Sequence, residues 1–442
     1  MLLSKIPTYN LKAVLKETGL KADVLRAWER RYGLPAPERT QGGHRLYSDF
    51  DLALLKWLLA RQKEGLSISR AVDLWKEQLA QGQNPLAESQ PPVRASVPAF
   101  NLSGLEAWRD QWLSACLNFN EIAAEQVLNQ AFALYPVETV CAEVLQRGLA
   151  TLGNLWYQNN ASVQQEHFAS ALALRRLDSL LAASPAPTRP QTVLIACPPD
   201  EWHTFTPLLL ALLLRRRGLN VIYLGANVPA DRFAETIAAV KADLVILAAQ
   251  HLISAATLYE SARLLSAEGL LVAFGGRIFS LQPGLVQRVA GHYLGDRLDS
   301  ALETVETLLF EKPVAPQPAL PSVAETQTLA AFLANRGLIE ASIDAEARAQ
   351  GIDPSHFDTA HKFMGDKIIA CLRLGEMSYL ESEIDWLTVM LQALHLPSSA
   401  VYAYLRLYAH AVQRQLNGHA LPITSWLETQ IRPVELPYSP LS

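Results

Sequence analysis

The most constraining stretch of this sequence runs from residue 191 to 310, where short apolar runs alternate with helical ones. The apolar runs are 192–197, 220–224, 244–248, 270–274 and, shorter, 292–294, with a helix expected over about 230–240 after Pro229. Strands that read as unbroken apolar runs and alternate with helices form a parallel sheet covered on both faces. The first run is followed by Glu201-Trp202-His203 and then by a long apolar helix. That order presents one imidazole at the carboxyl end of a strand, the edge where open α/β sheets bind ligands. Gly225 follows the second strand and Gly275-Gly276 the fourth. Glycine at those places lets a bulky ligand approach the backbone. No GxGxxG follows the first strand, which disfavours a dinucleotide, and there is no Walker lysine motif.

Upstream, residues 103–185 read as a four-helix bundle that caps the sheet. Trp108, Trp112 and Leu117 fit one helix face, Val127, Leu128 and Phe132 another, and Val140, Val144, Leu145 and Leu149 continue the pattern. Two features of the bundle are unusual for a plain core: Leu155-Trp156-Tyr157, and the adjacent carboxylate and imidazole of Glu166-His167. Trp156, Glu166 and His167 could form one face of a pocket whose other face is Glu201 and His203. Glu201, two residues from His203, could hold that imidazole by a hydrogen bond.

The charge of the chain is uneven. Residues 1–80 carry 14 Lys and Arg against 9 Asp and Glu, whereas the rest carries 24 against 34. A basic head on an acidic body points to a polyanion partner for the head alone. In that head a first helix holds Leu11, Val14 and Leu15, Thr18-Gly19 breaks it, and a second runs over about 22–32. The second helix contains Arg26, Trp28, Arg30 and Arg31. Two helices around a short turn, the second arginine-rich, make a helix-turn-helix. A Gly-rich loop follows and ends in His44-Arg45-Leu46-Tyr47, a wing that can lay Arg45 and Tyr47 along phosphates. These residues are the expected contacts to double-stranded DNA.

The remaining organisation is read from composition. Residues 1–81 form the DNA-binding head, 82–102 a Pro-containing linker, 190–311 the sheet domain, 312–324 a second Pro-rich linker and 325–442 a helical domain. The fold class is therefore multidomain, α and α/β: a winged helix-turn-helix, a four-helix cap, a doubly wound, flavodoxin-like sheet and a C-terminal helical bundle. Cys116, Cys141, Cys197 and Cys371 are scattered, so neither a disulfide framework nor a cysteine zinc site is expected. There is no signal-peptide pattern at the start, and the longest apolar run is too short to span a bilayer. A cytoplasmic location without membrane contact is expected. In the last domain no nucleotide, metal or catalytic signature is found, and His356 and His361 are badly spaced for a shared helix face.

Two resemblances sharpen this reading. Leu25-Arg26-Ala27-Trp28-Glu29-Arg30-Arg31-Tyr32-Gly33-Leu34, with Gly42-Gly43-His44-Arg45-Leu46-Tyr47, resembles the winged-helix domain of the MerR family. A helical bundle followed by a sheet with a loop histidine is similar to the cobalamin-binding module. Its loop pattern, Asp/Glu-x-His-x-x-Gly, is matched by Glu201-Trp202-His203 and broken at Thr206. Trp156 followed by Glu166-His167 resembles the cap motif of the CarH/LitR light-dependent repressors, a MerR branch, and the likeness extends over residues 6 to about 310. It implies that adenosylcobalamin is bound, that His203 ligates cobalt from below, and that Trp156, Glu166 and His167 enclose the adenosyl group. It further implies a non-enzymatic, self-associating repressor, dimer or tetramer, whose assembly and DNA affinity change on photolysis. Tyr157 stands where those photoreceptors carry a second cobalt-ligating histidine. Ala248 stands where many cobalamin sheets have a serine touching the nucleotide tail, which leaves tail recognition to the backbone near Gly225 and Gly275. The alternatives are a MerR-type regulator that has lost cobalamin and answers to protein partners, a photoreceptor with a second chromophore in 325–442, and a corrinoid methyl carrier.

Overall fold

The computed structural model describes residues 7–39, 45–63, 66–80, 102–158, 160–230, 233–355, 357–381, 384 and 398–431. The chain divides into two compact units, Met1–Leu102 and Ser103–Ser442.

In the first unit Asn10 caps the Leu11–Thr18 helix by accepting from the Ala13 N–H at 2.9 Å. Gly19, at φ +68°, ends that helix in the left-handed conformation a side chain resists. The Ala22–Tyr32 helix follows, which makes the expected helix-turn-helix. Three short antiparallel strands, β1 (Tyr9–Asn10), β2 (Glu38–Arg39) and β3 (Arg45–Tyr47), lie in the order β1-β3-β2. The helices Asp49–Lys63 and Ile68–Ala80 complete a core built around Leu25, Trp28, Tyr47, Trp57 and Trp75.

The second unit is organised around a parallel sheet of β4 (Thr192–Ala196), β5 (Asn220–Gly225), β6 (Leu244–Ala248), β7 (Val272–Gly275) and β8 (His292–Tyr293). The strand order is β5-β4-β6-β7-β8, the flavodoxin-like order expected. Every residue of β4 and β6 is buried, because helices cover both faces. The chain leaves β4 toward β5 on one side and returns to β6 on the other. The crevice at the carboxyl ends of β4 and β6 is therefore the topological switch point, where such sheets bind ligands.

Each face of the sheet has its own helical cover. On one face the Phe205–Arg216 helix has all eight residues from Pro207 to Leu214 buried. A helix apolar all round must be enclosed all round. Here the sheet lies on one side, and the bundle shares its core on the other. The bundle has the four expected helices: Leu102–Leu117, Glu121–Leu134, a third over 137–157, and Val163–Ala182. The third contains a π-helical segment, Cys141–Gln146, the kind of local widening that often accompanies functional sites.

On the opposite face the Leu252–Ala267 helix packs against Phe357–Leu374, behind which Val323–Ala349, Ser398–Leu416 and Leu421–Ile431 pack on one another. They share one hydrophobic core with the strands they face. The proline-rich stretch between the two parts is pinned, with the Ala319 N–H donating to the Gln287 carbonyl at 2.9 Å. His361 is buried among these helices, its Nδ1 2.9 Å from the Tyr404 hydroxyl and its Nε2 3.1 Å from Asp344 Oδ1. His356, with which it was compared, lies outside the described residues, as does most of the stretch 382–397. Among the described residues no helix is long and apolar enough to cross a membrane. The four cysteines are buried and unpaired with one another, and burial pushes the Cys197 thiol up to about 12, helped by the charge of Glu201.

Candidate functional site

The loop after β4 is held in shape by the loop after β5. Asp200 and Asn227 both adopt the left-handed conformation that Asp and Asn tolerate, with φ of +65° and +51°. The Asp200 N–H donates to Asn227 Oδ1 at 2.9 Å, and the Asn227 N–H donates to the Glu201 carbonyl at 2.9 Å. Gly225 contributes through its backbone, accepting from the Cys197 N–H at 3.0 Å.

This frame sets Glu201, which is fully buried. Its Oε1 accepts from the His203 backbone N–H at 2.8 Å and lies 2.8 Å from His203 Nδ1. Its Oε2 accepts from the Gln250 N–H at 2.5 Å and from the Ser254 hydroxyl at 2.7 Å. Burial alone would push this carboxyl up. The bonds from His203, Ser254 and the two backbone N–H groups outweigh burial and hold it below the ordinary carboxylate range. An ionised carboxylate only accepts, so His203 Nδ1 carries the proton. The neutral imidazole then keeps its lone pair on Nε2. The His203 side chain is 61% exposed, so Nε2 is reachable.

The imidazole of His203 is raised in pKa, first by its bond to Glu201, against the effect of burial, and further by the charges of Glu201 and Glu166. Glu166, which belongs to the bundle, is near enough for its charge to act on this imidazole. Glu166 sits in the first turn of the Val163–Ala182 helix, which Ser162 and Gln165 start with a reciprocal capping box. Gln165 Nε2 also donates to the Leu117 carbonyl at 2.7 Å and so ties that start to the first bundle helix. Glu166 Oε2 lies 2.8 Å from His167 Nδ1, and its Oε1 accepts from the Ser170 hydroxyl at 2.6 Å. Trp156, one residue before the end of the preceding helix, is 44% exposed, unusual for so large an apolar side chain. The side chain of Tyr157 lies outside the described residues.

A cavity of about 270 Å³ opens at the carboxyl ends of the strands, and Gln250, whose N–H donates to Glu201, stands in its wall. Its buried lining includes Ile195, Leu210, Ile246 and Leu294. Exposed Arg277, Asp296 and Arg297 complete its wall. Gly275 and Gly276 line it, as do Thr206 and Ala248, whereas Gly225 does not. A Cβ on Gly276, at φ +125°, would fall 1.9 Å from the Ala249 carbonyl oxygen, so no side chain can stand there. Thr206 does not close the cavity, and Gln146 of the π-helical segment reaches it from the bundle.

A reachable imidazole lone pair with an ionised partner behind it forms a donor set suited to a cobalt held by histidine. Glu201 and His203 are joined by a hydrogen bond, and Gly275 and Gly276 line the cavity with Gln250, whose N–H donates to Glu201. Three contributors were not foreseen: Gln250, Ser254 and His251. His251 Nε2 lies 3.1 Å from His203 Nδ1, with the rings edge-on at 4.5 Å and 70°. Glu201, His203 and His251 each place one potential ligand atom within 4.8 Å of the others. The available clue was topological: His251 follows β6, the neighbour of β4, just as His203 follows β4.

In the first unit Arg26, Arg30 and Arg31 are exposed on the Ala22–Tyr32 helix, where a groove-reading helix needs them. Arg45 donates from Nε to Glu29 Oε2 at 2.8 Å. Two expected DNA contacts are corrected. Trp28 is 6% exposed and Tyr47 fully buried, because both belong to the apolar core. The Tyr47 hydroxyl donates to Glu29 Oε1 at 2.6 Å, so it holds the wing to the helix rather than reaching phosphate. His44 lies outside the described residues.

The fold and the site define a winged-helix regulator joined to a ligand-binding bundle and sheet. Residues 9–78 match the model of the MerR HTH family regulatory protein, and residues 108–181 and 191–297 match two models described as B12 binding domain. The chain is 33% identical over 288 residues to the HTH-type transcriptional repressor CarH of Myxococcus xanthus, spanning 64% of this chain and 94% of that protein. It is 32% identical over 244 residues to the repressor CarA of the same organism, spanning 54% of this chain and 76% of that protein. Among solved structures, the monomethylamine corrinoid protein of Methanosarcina barkeri aligns with 46% of this chain and 99% of its own, at 15% identity and a TM-score of 0.41. The chain belongs to the CarH family of MerR-type DNA-binding regulators with a B12-binding domain.

Proposed function

We propose that this protein is a transcriptional repressor that binds adenosylcobalamin between its bundle and the edge of its sheet, and that light on the cofactor changes its assembly and its hold on DNA. The observation that carries this reading is His203, whose Nδ1 is committed to a buried carboxylate while the side chain, 61% exposed, leaves Nε2 reachable. His203 Nε2 would ligate the cobalt, with Glu201 fixing the tautomer. Trp156, Glu166 and His167 would hold the adenosyl group from the bundle side. When bound, adenosylcobalamin supplies a cobalt–carbon bond that visible light breaks. The bundle residues gain contacts only while the adenosyl group is present, so its loss weakens whatever assembly the closed bundle supports. Arg26, Arg30 and Arg31 would read or clamp double-stranded DNA, as one of two or four copies on a repeated site. The chain acts as a regulator, not as a catalyst.

The test is gel-shift titration of a promoter fragment from the protein's own locus, with size-exclusion profiles, in four states: without cofactor, with adenosylcobalamin in the dark, after green light, and after deletion of residues 1–80. Tight, salt-dependent binding in the dark that weakens after light and vanishes in the deletion is expected. Equal DNA affinity and an unchanged oligomer before and after complete photolysis contradict the light switch. Binding that survives the deletion contradicts the assignment of the head.

A further inference from the structure

We propose that His251 is a positioning residue for His203, a ring wall that holds the ligating imidazole at the angle in which its free nitrogen faces the cofactor space; this rests on the reading of His203 as the cobalt ligand.

The need for such a wall follows from the geometry. Glu201 fixes one atom of the His203 ring, Nδ1, and the backbone N–H of the same residue. One bond to Nδ1 still lets the ring swing about the line joining Nδ1 to the carboxylate. The side chain is 61% exposed, so ordinary core packing does not stop that swing. Edge-on contact with a second ring removes it. The His251 ring stands edge-on at 4.5 Å, an arrangement that aromatic rings favour. Its Nε2 at 3.1 Å adds a polar contact on the Nδ1 side, away from the lone pair that a metal would take.

His251 is itself mounted on rigid parts. It immediately precedes the Leu252–Ala267 helix, in an extended conformation with φ −129° and ψ 164°. The chain just before it is tied twice: the Ala249 N–H donates to the Gly275 carbonyl at 3.0 Å, and the Gln250 N–H donates to Glu201. The His251 N–H donates to the Ser254 hydroxyl at 3.3 Å, and that hydroxyl donates to the same Glu201 carboxylate. Both imidazoles are thus referenced to one buried group, which fixes their mutual angle from two sides of the switch point.

The test uses the full chain with His251→Ala and His251→Phe. Cobalamin affinity is read by titration, and the lower ligand by absorption and by electron paramagnetic resonance of the cobalt(II) form. The 15N shifts of the His203 ring are read in the cofactor-free protein. His251→Ala is expected to weaken cobalamin binding about two- to tenfold, to raise the fraction without histidine ligation, and to broaden or shift the His203 ring signals. His251→Phe, which keeps a ring but no nitrogen, is expected to recover most of the affinity and ligation. Wild-type affinity, spectrum and ring signals in His251→Ala overturn the proposal, as does a His251→Phe variant no better than His251→Ala. If the wild-type chain binds no cobalamin, the cobalt reading fails, and the 15N comparison still decides whether His251 orients the His203 ring.

Discussion

The chain carries two carboxylate–imidazole pairs, one at the sheet edge and one on the bundle, and they are built differently. In both, a glutamate oxygen lies 2.8 Å from a histidine Nδ1. On the sheet side, Glu201 is buried and takes four donors from three residues in two stretches of chain. On the bundle side, Glu166 is 31% exposed, is bound by His167 and Ser170 of its own helix, and His167 is 76% exposed. A metal ligand must be preorganised, whereas residues that close over a removable group must be able to move. The sheet pair meets the first demand and the bundle pair the second.

The contrast can be broken most severely at Glu201. Glu201→Ala strands the Gln250 N–H, the Ser254 hydroxyl and both His203 donors in or near the core. It should cost about 3 kcal/mol or more of stability, read by urea denaturation. Glu166→Ala should cost less than about 1 kcal/mol, since an exposed pair contributes little. Equal losses at the two positions would erase the difference between the pairs.

A smaller loss is expected from Ser254→Ala, about 1 kcal/mol, because one hydrogen bond to the carboxylate goes while three remain. The corresponding change on the bundle side, Ser170→Ala, should leave stability within about 0.5 kcal/mol.

The pH dependence of stability tests the sheet pair without large structural change. Glu201 is held below the ordinary carboxylate value in the folded chain. Its ionised form therefore adds stability above that value, and the contribution is lost as the pH falls through the lowered one. Glu201→Gln should flatten the acid limb of the stability curve of the cofactor-free protein. An acid limb unchanged by Glu201→Gln would mean the buried carboxylate is not ionised as described.

The two pairs were not equally legible in the sequence. Glu201 and His203 stand directly after an apolar run, so their place at the sheet edge followed from strand periodicity alone. What anchors them did not: Gln250, His251 and Ser254 are about fifty residues away and adjacent only because β6 lies beside β4. Trp28 shows the opposite failure. Read among arginines it looked like a surface contact, yet it falls three residues after buried Leu25, on the inward face of its helix. Tyr47 was misread because its hydroxyl partner, Glu29, lies in another element. The π-helical segment in the bundle was not legible, because Val140, Val144, Leu145 and Leu149 follow spacings that an ordinary α-helix also shows.

The central claim is that His203, braced by Glu201, is the group that ligates cobalt. The most direct measurement is titration of the purified chain and of His203→Ala with adenosylcobalamin in the dark, followed by absorption spectroscopy. The wild-type protein should bind with a histidine-ligated spectrum, and the variant should bind far more weakly with a spectrum lacking lower histidine ligation. A His203→Ala chain that binds with wild-type affinity and an identical spectrum would contradict the account.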